Sequence, residues 1–348
     1  MEKNHFSQTG TTKNVKSFGL LSDGKEILCY TLRNKNGLEL SVIDYGATIT
    51  SLKIPISNDV KIDVVLGFDT IDDYINSYYL QSPPYFGTTI GRFCGRIDNA
   101  EFSLNGKKHF LNKNHGEHNI HGGILGFNRK LWKVKETTSN ENPAITLQYI
   151  SPNNEENFPG ELIVQVTYTL TEKNELKVNY SAKSSEDTLV NLTQHSYFNL
   201  DGHSNDISNQ QLTINSGKVL ETNEELIPTG EFAPLKNHDF DFSSAKSCPD
   251  FIDNTFVLEN QNAATLYSEK NKLKMSVITN QPAVHIYVGG NCFNKIKGKE
   301  NTDYHSKSGI CFETQNFPDA PNHAHFPNSV LKKGEEYNSQ TSFCFENL

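Results

Sequence analysis

The apolar residues of this chain recur with a period of two. Val164, Val166, Tyr168 and Leu170 alternate with Gln165, Thr167 and Thr169, the pattern of a strand with one buried and one wetter face. The alternation returns in Ile145, Leu147 and Tyr149, in Leu176, Val178 and Tyr180, and in Leu273, Met275 and Val277. A further set, Val284, Ile286 and Val288, alternates with His285 and Tyr287. Long runs at helical spacing are missing. Phe102-Ser103-Leu104, Asn105-Gly106 and His109-Phe110-Leu111 predict a hairpin, because Asn-Gly accepts the positive φ angles of a type I′ turn. Many short strands separated by Asn, Gly, Ser and Pro clusters predict an all-β chain, an antiparallel sandwich or barrel.

No Pro/Ser linker or internal repeat divides the 348 residues, and all-β chains commonly run past about 200 residues as one domain. A single domain over 18–348 is expected, after a flexible arm over 1–17. Ser151 to Gly160 is polar enough to form a long loop. The formal net charge of −9 argues against nucleic acid and anionic membrane surfaces, whose phosphates call for clustered Lys and Arg. A small neutral ligand fits better. Six scattered cysteines, Cys29, Cys94, Cys248, Cys292, Cys311 and Cys344, form no C-x-x-C pair, which predicts free thiols. The first residues hold no apolar signal region and no run approaches a membrane span, so a cytoplasmic location is expected. Monomer and homodimer both suit these features.

Several stretches carry chemistry. Arginine is scarce, yet two of the four, Arg92 and Arg96, fall in Gly91-Arg92-Phe93-Cys94-Gly95-Arg96-Ile97. A guanidinium forks to oxygens as an ammonium does not, although a pair of plain surface arginines reads equally well. Asn114 to Gly123 holds His115, His118 and His121 three apart. Zinc helices space histidines four apart, and Gly116, Gly122 and Gly123 oppose a helix, so a turn that brings backbone to a ligand beside His121 outweighs a metal site. In Asn191 to Leu200, His195 is followed by Tyr197 and Phe198, which offer a stacking or dry wall. The glycosylation pattern at Asn191 reads as chance. Glu313 lies between Cys311-Phe312 and Phe317-Pro318, and partial burial raises a carboxyl pKa toward what a general base near neutrality needs.

Gly91 to Ile97, Asn119-Ile120-His121-Gly122-Gly123, Asn191 to Leu200 and Phe312 to Pro321, with Asp253 between the last two, stand in the order of a known family. From about residue 18 to the C-terminus the chain resembles the aldose 1-epimerases, the galactose mutarotase family. The resemblance implies a large antiparallel β-sandwich of galactose mutarotase type with a sugar in an open cleft across one sheet. It implies Glu313 as general base, His195 as general acid and His121 as a supporting histidine, with Arg96, His121, Asp253 and His285 toward the sugar hydroxyls. Three departures bear on hydroxyl recognition: Gly95 replaces the usual Asn, Asn254-Thr255 the usual His-Asn, and His285 a cleft Gln.

The reaction so implied opens the hemiacetal of a free aldose by two proton transfers, turns the aldehyde about C1–C2 and closes it as the other anomer. It needs no metal, nucleotide or other cofactor. Three alternatives stand beside it: a glycoside hydrolase using Glu313 and Asp253 as paired carboxylates, a sugar-binding or sensor domain without turnover, and a hexose-phosphate mutarotase, for which four arginines give little support.

Overall fold

The alternation produces strands as expected. A computed structural model describes residues 14–57, 60–289 and 296–348. In Leu162–Leu170 every even-numbered side chain is buried, and Leu176, Val178, Tyr180, Leu273, Met275 and Val277 are buried likewise. Asn105 and Gly106 both take positive φ between Glu101–Leu104 and Lys107–Phe110, giving the expected hairpin.

Three antiparallel sheets make up most of the protein. A five-stranded sheet runs in chain order through Val15–Leu20, Glu26–Arg33, Glu39–Ile43, Thr48–Ser57 and Val60–Asp63. A nine-stranded sheet is built around Leu162–Leu170 and Glu175–Ser184, and the C-terminal strand Tyr337–Asn347 lies inside it, between Glu175–Ser184 and Leu273–Thr279. A six-stranded sheet runs Tyr197–Phe198, Ile310–Gln315, Ala283–Val288, Ile252–Val257, Lys218–Thr222, Pro228–Pro234. One continuous core joins all three, with Val42 and Leu52 from the first, Val164, Val166 and Val178 from the second, and Ile252, Val284, Ile286 and Phe312 from the third. Such apolar contact between facing sheets is what a β-sandwich buries.

Residues 15–17, expected in the arm, are strand: Val15 pairs with Tyr30 and Ser17 with Leu28. Their side chains are exposed, so the backbone ladder orders them and the apolar pattern gives no sign of it. The rest of the expected arm, residues 1–13, lies outside the described residues, as does Cys292. Cys29, Cys94, Cys248 and Cys344 are free thiols, and Cys311 is buried beside His195. Among the described residues no helix is long and apolar enough to cross a membrane.

Candidate active site

The six-stranded sheet has two unlike faces. Ile252, Val284, Ile286 and Phe312 enter the core, so their neighbours Asp253, Thr255, His285, Tyr287 and Glu313 fall on the opposite face. Register lines them up: Thr255 is opposite His285, and His285 is opposite Glu313. Tyr197 pairs with Cys311, which carries the incoming chain, with His195, past Glu313.

That face floors a cavity of about 500 Å³, lined by Arg96, His121, His195, Asp253, His285 and Glu313 together. All six residues expected at the site therefore meet in one place. Tyr85, His115, Phe251, Tyr287 and Gln315 line it too. Gln315, two residues beyond Glu313 on the same strand face, is 1% exposed and its Oε1 finds no hydrogen-bond partner among the described residues. A buried polar atom normally has a partner, which sets this acceptor apart from most other groups around the cavity. Within the sequence it is one polar residue in a polar stretch and gives no signal of its own.

Glu313 and His195 are each 3% exposed. His195 Nε2 lies 3.4 Å from Glu313 Oε1, and Nδ1 is 3.6 Å from Cys311 Sγ. Burial pushes the His195 imidazole below its usual pKa, with the Glu313 charge opposing the shift. Glu313 is more deeply buried than the partial burial expected of it.

Tyr197 and Phe198 do not form the expected wall against a ligand. Phe198 packs in the core against Phe343 at 4.8 Å, and the Tyr197 ring supports His195 at 5.4 Å. Tyr85 takes the expected place, 5.0 Å from the His121 ring and 5.7 Å from that of His195. Asn191 is fully buried and donates to Cys94 O and Asn316 O, so its side chain is a structural tie.

Short pairing of Asn119 with Ile97 and Ile120 with Arg96 brings the His121 loop beside the Arg96 loop. The glycines after His121 serve that approach. A Cβ on Gly122 would sit 2.0 Å from Gly91 O, so the close contact is between two backbones of the protein, and not with a ligand as the sequence suggests. Gly95 N–H donates to His121 Nδ1 at 3.3 Å, leaving the neutral ring with its proton on Nε2. Loss of solvent holds the His121 pKa well below its usual value, and the neighbouring His195 and Arg96 add to the effect.

The two arginines part company. Arg92 is buried and donates to Ser151 Oγ and to the carbonyls of Ser151, Pro152, Pro159 and Gly160 at 2.8–3.0 Å, pinning the long polar loop. Arg96 turns to the cavity, its NH2 3.5 Å from Asp253 Oδ2. Asp253 Oδ1 meets His285 Nε2 at 3.0 Å. Burial opposes ionisation of Asp253, but His285 and Arg96 together hold its carboxyl far below the usual range.

His115, His118 and His121 do not gather. His118 Nδ1 faces Asp98 Oδ1 at 3.1 Å, away from His121. The ligand atoms of His121, His195 and Glu313 do lie within 4.8 Å of one another. A metal-bound imidazole gives a lone pair to the ion and donates its other N–H. Here His121 Nδ1 is already an acceptor, which suits the ring to hydrogen bonding through Nε2–H.

A buried carboxylate facing a buried imidazole, with an ionised Asp–Arg pair beside them in an open polar cavity, defines an acid–base enzyme for a small hydroxylated substrate on a β-sandwich. The family model for aldose 1-epimerase matches residues 28–344. A galactose mutarotase of Sus scrofa is 39% identical over 341 residues, 94% of this chain and 97% of its own. Among solved structures, the aldose epimerase homologue of C. elegans superposes with a TM-score of 0.84 at 28% identity, covering 92% of this chain and 99% of its own. The galactose 1-epimerase of Lactobacillus acidophilus NCFM gives 0.83 at 26%, covering 96% and 98%. This chain belongs to the aldose 1-epimerase family. It is an isomerase with mutarotase activity.

Proposed function

We propose that the substrates are free aldohexoses such as glucose and galactose, and that Glu313 and His195 carry the two proton transfers. Glu313 accepts the proton of the C1 hydroxyl while His195, as imidazolium, protonates the ring oxygen. The C1–O5 bond breaks to give the open aldehyde. Rotation about C1–C2 presents the other carbonyl face, and the reverse transfers close the ring as the opposite anomer. The lowered pKa of His195 makes its imidazolium a stronger acid toward a weakly basic ether oxygen. His121 supports the pair by donating through Nε2–H, Arg96 and Asp253 hold hydroxyls, and His285 belongs to the same wall. The chemistry calls on no cofactor, and the buried thiols Cys29, Cys94, Cys248 and Cys311 suit a reducing compartment such as the cytoplasm. Every assigned residue comes from one chain, so a monomer suffices and a homodimer is compatible.

The observation that carries this reading is the 3.4 Å approach of His195 Nε2 to Glu313 Oε1 within the cavity. Polarimetry on freshly dissolved α-D-galactose and α-D-glucose tests it. The wild-type protein should speed the approach to equilibrium rotation, and Glu313→Gln should cut kcat by about 10²–10⁴. A rate unchanged by that substitution would remove Glu313 from the mechanism.

A further inference from the structure

We propose that Thr255 is a positioning residue for the mutarotase site, fixing the Asp253 carboxylate through the ring of His285. The inference rests on the assignment of Asp253 to sugar binding.

Four polar side chains form one chain of contacts. Thr255 Oγ1 lies 2.8 Å from His285 Nδ1, His285 Nε2 lies 3.0 Å from Asp253 Oδ1, and Asp253 Oδ2 lies 3.5 Å from Arg96 NH2. Donor chemistry fixes its Asp253 end. An ionised carboxylate only accepts, so His285 Nε2 carries a hydrogen, and the Thr255 hydroxyl, which can donate or accept, meets the ring at Nδ1. Both ring nitrogens are engaged within the protein. His285 therefore reaches the sugar through Asp253, whose carboxylate has spare lone pairs after meeting His285 and Arg96.

The sheet holds this arrangement still. Thr255 is 4% exposed and stands opposite His285 across an antiparallel pair, while Glu313 stands opposite His285 on its other side. The imidazole is confined between two neighbouring strands, and the Thr255 hydroxyl fixes its orientation by holding the second nitrogen. Two of the departures noted in the sequence, Thr255 and His285, are thus bonded to each other. A valine at 255 would fill the same space without that hydrogen bond. Nδ1 would then be buried and unpaired, and the ring would lose the contact that fixes how it presents Nε2 to the Asp253 carboxylate.

Steady-state polarimetry with galactose on wild type, Thr255→Val, Thr255→Ser, His285→Gln and the Val/Gln double variant tests this, together with ¹⁵N shifts of the His285 ring. Thr255→Val should raise KM by about tenfold, the worth of one hydrogen bond in binding, with kcat changed less than about twofold, the mark of lost uniform binding. Serine should restore KM. In the His285→Gln background the valine should have no further effect. Nε2 should carry a hydrogen in wild type and in the valine variant, and the Nδ1 shift should move in the latter as its hydrogen bond to Thr255 is lost. An unchanged KM, or an equal rise in the His285→Gln background, would overturn the proposal and make Thr255 a packing residue. A wild type without mutarotation would sink the functional reading instead, while the ¹⁵N shifts would still decide whether Thr255 sets the ring.

Discussion

At the scale of single residues, the proposed chemistry needs His195 charged while surrounded by protein. Burial lowers its pKa and Glu313 partly restores it. In the free enzyme the imidazolium is thus lost as pH rises through a value below the ordinary histidine value of about 6.5. The pH dependence of kcat/KM, which reports the free enzyme, should show its alkaline limb below about 6.5. A limb well above that would assign the acid to another group. That Glu313, His195, His121, Arg96 and Asp253 would share one cavity was legible from the order of the motifs that resemble the family. Gln315 was not, since a buried amide looks the same in sequence as an exposed one, and Thr255 was visible only as a departure from the family pattern whose contact with His285 was not. Tyr197 and Phe198 misled for a related reason: aromatic character is visible in a sequence, but the face a ring occupies depends on register.

Among the elements, the long strands follow from their alternation, while the irregular segments that carry the site do not. The block around His195 looks like one strand and is two short ones, Thr193–Gln194 and Tyr197–Phe198, each pairing with a different partner. The loop from Ser151 to Gly160 was recognisable as a loop, but its anchor was not. Arg92 supplies that anchor from a segment about 60 residues away. Arg92→Leu would remove the donor from the carbonyls of Ser151, Pro152, Pro159 and Gly160, of which that of Pro152 is partly exposed, each buried loss costing about 1–3 kcal/mol before relaxation. Urea unfolding should show a destabilisation of at least about 3 kcal/mol, with little change in KM if the variant stays folded. A loss under about 1 kcal/mol would mean the loop is held by other contacts.

Across the whole molecule, the sandwich makes one sheet serve two purposes, with an apolar face in the core and a polar face in the cleft. Titratable groups held in the cleft and around the five-stranded sheet make stability depend on pH. His121 and His195 have lowered pKa values, chiefly from burial, so below about 6.5 the unfolded chain takes up protons that the folded one refuses. Asp63 and Asp253 are lowered as well: burial works against both, and is outweighed by Lys299 and His203 for Asp63, and by His285 and Arg96 for Asp253. Their contribution is complete above about 3.9 and is lost as pH falls through their folded values. Asp44, raised by burial to about 6, acts in the opposite sense; it stabilises below about 3.9 and loses that effect as pH rises through about 6. The two histidines outnumber it between pH 4 and 6, and the other two aspartates act in their direction below that. Thermal unfolding should therefore give a Tm that falls from pH 7 to pH 5 and further by pH 4. A Tm that rises over this range would mean that Asp44 dominates.

A mutarotase exchanges protons at a free anomeric centre and breaks no glycosidic bond. Proton NMR saturation transfer between the α and β anomeric signals of galactose, with methyl α-galactoside in the same tube, separates the two reactions. Rapid exchange between the two galactose anomers and an unchanged methyl galactoside are expected, because without a C1 hydroxyl the proposed base Glu313 has no proton to accept. Exchange no faster than in buffer, or the release of methanol, would contradict that expectation.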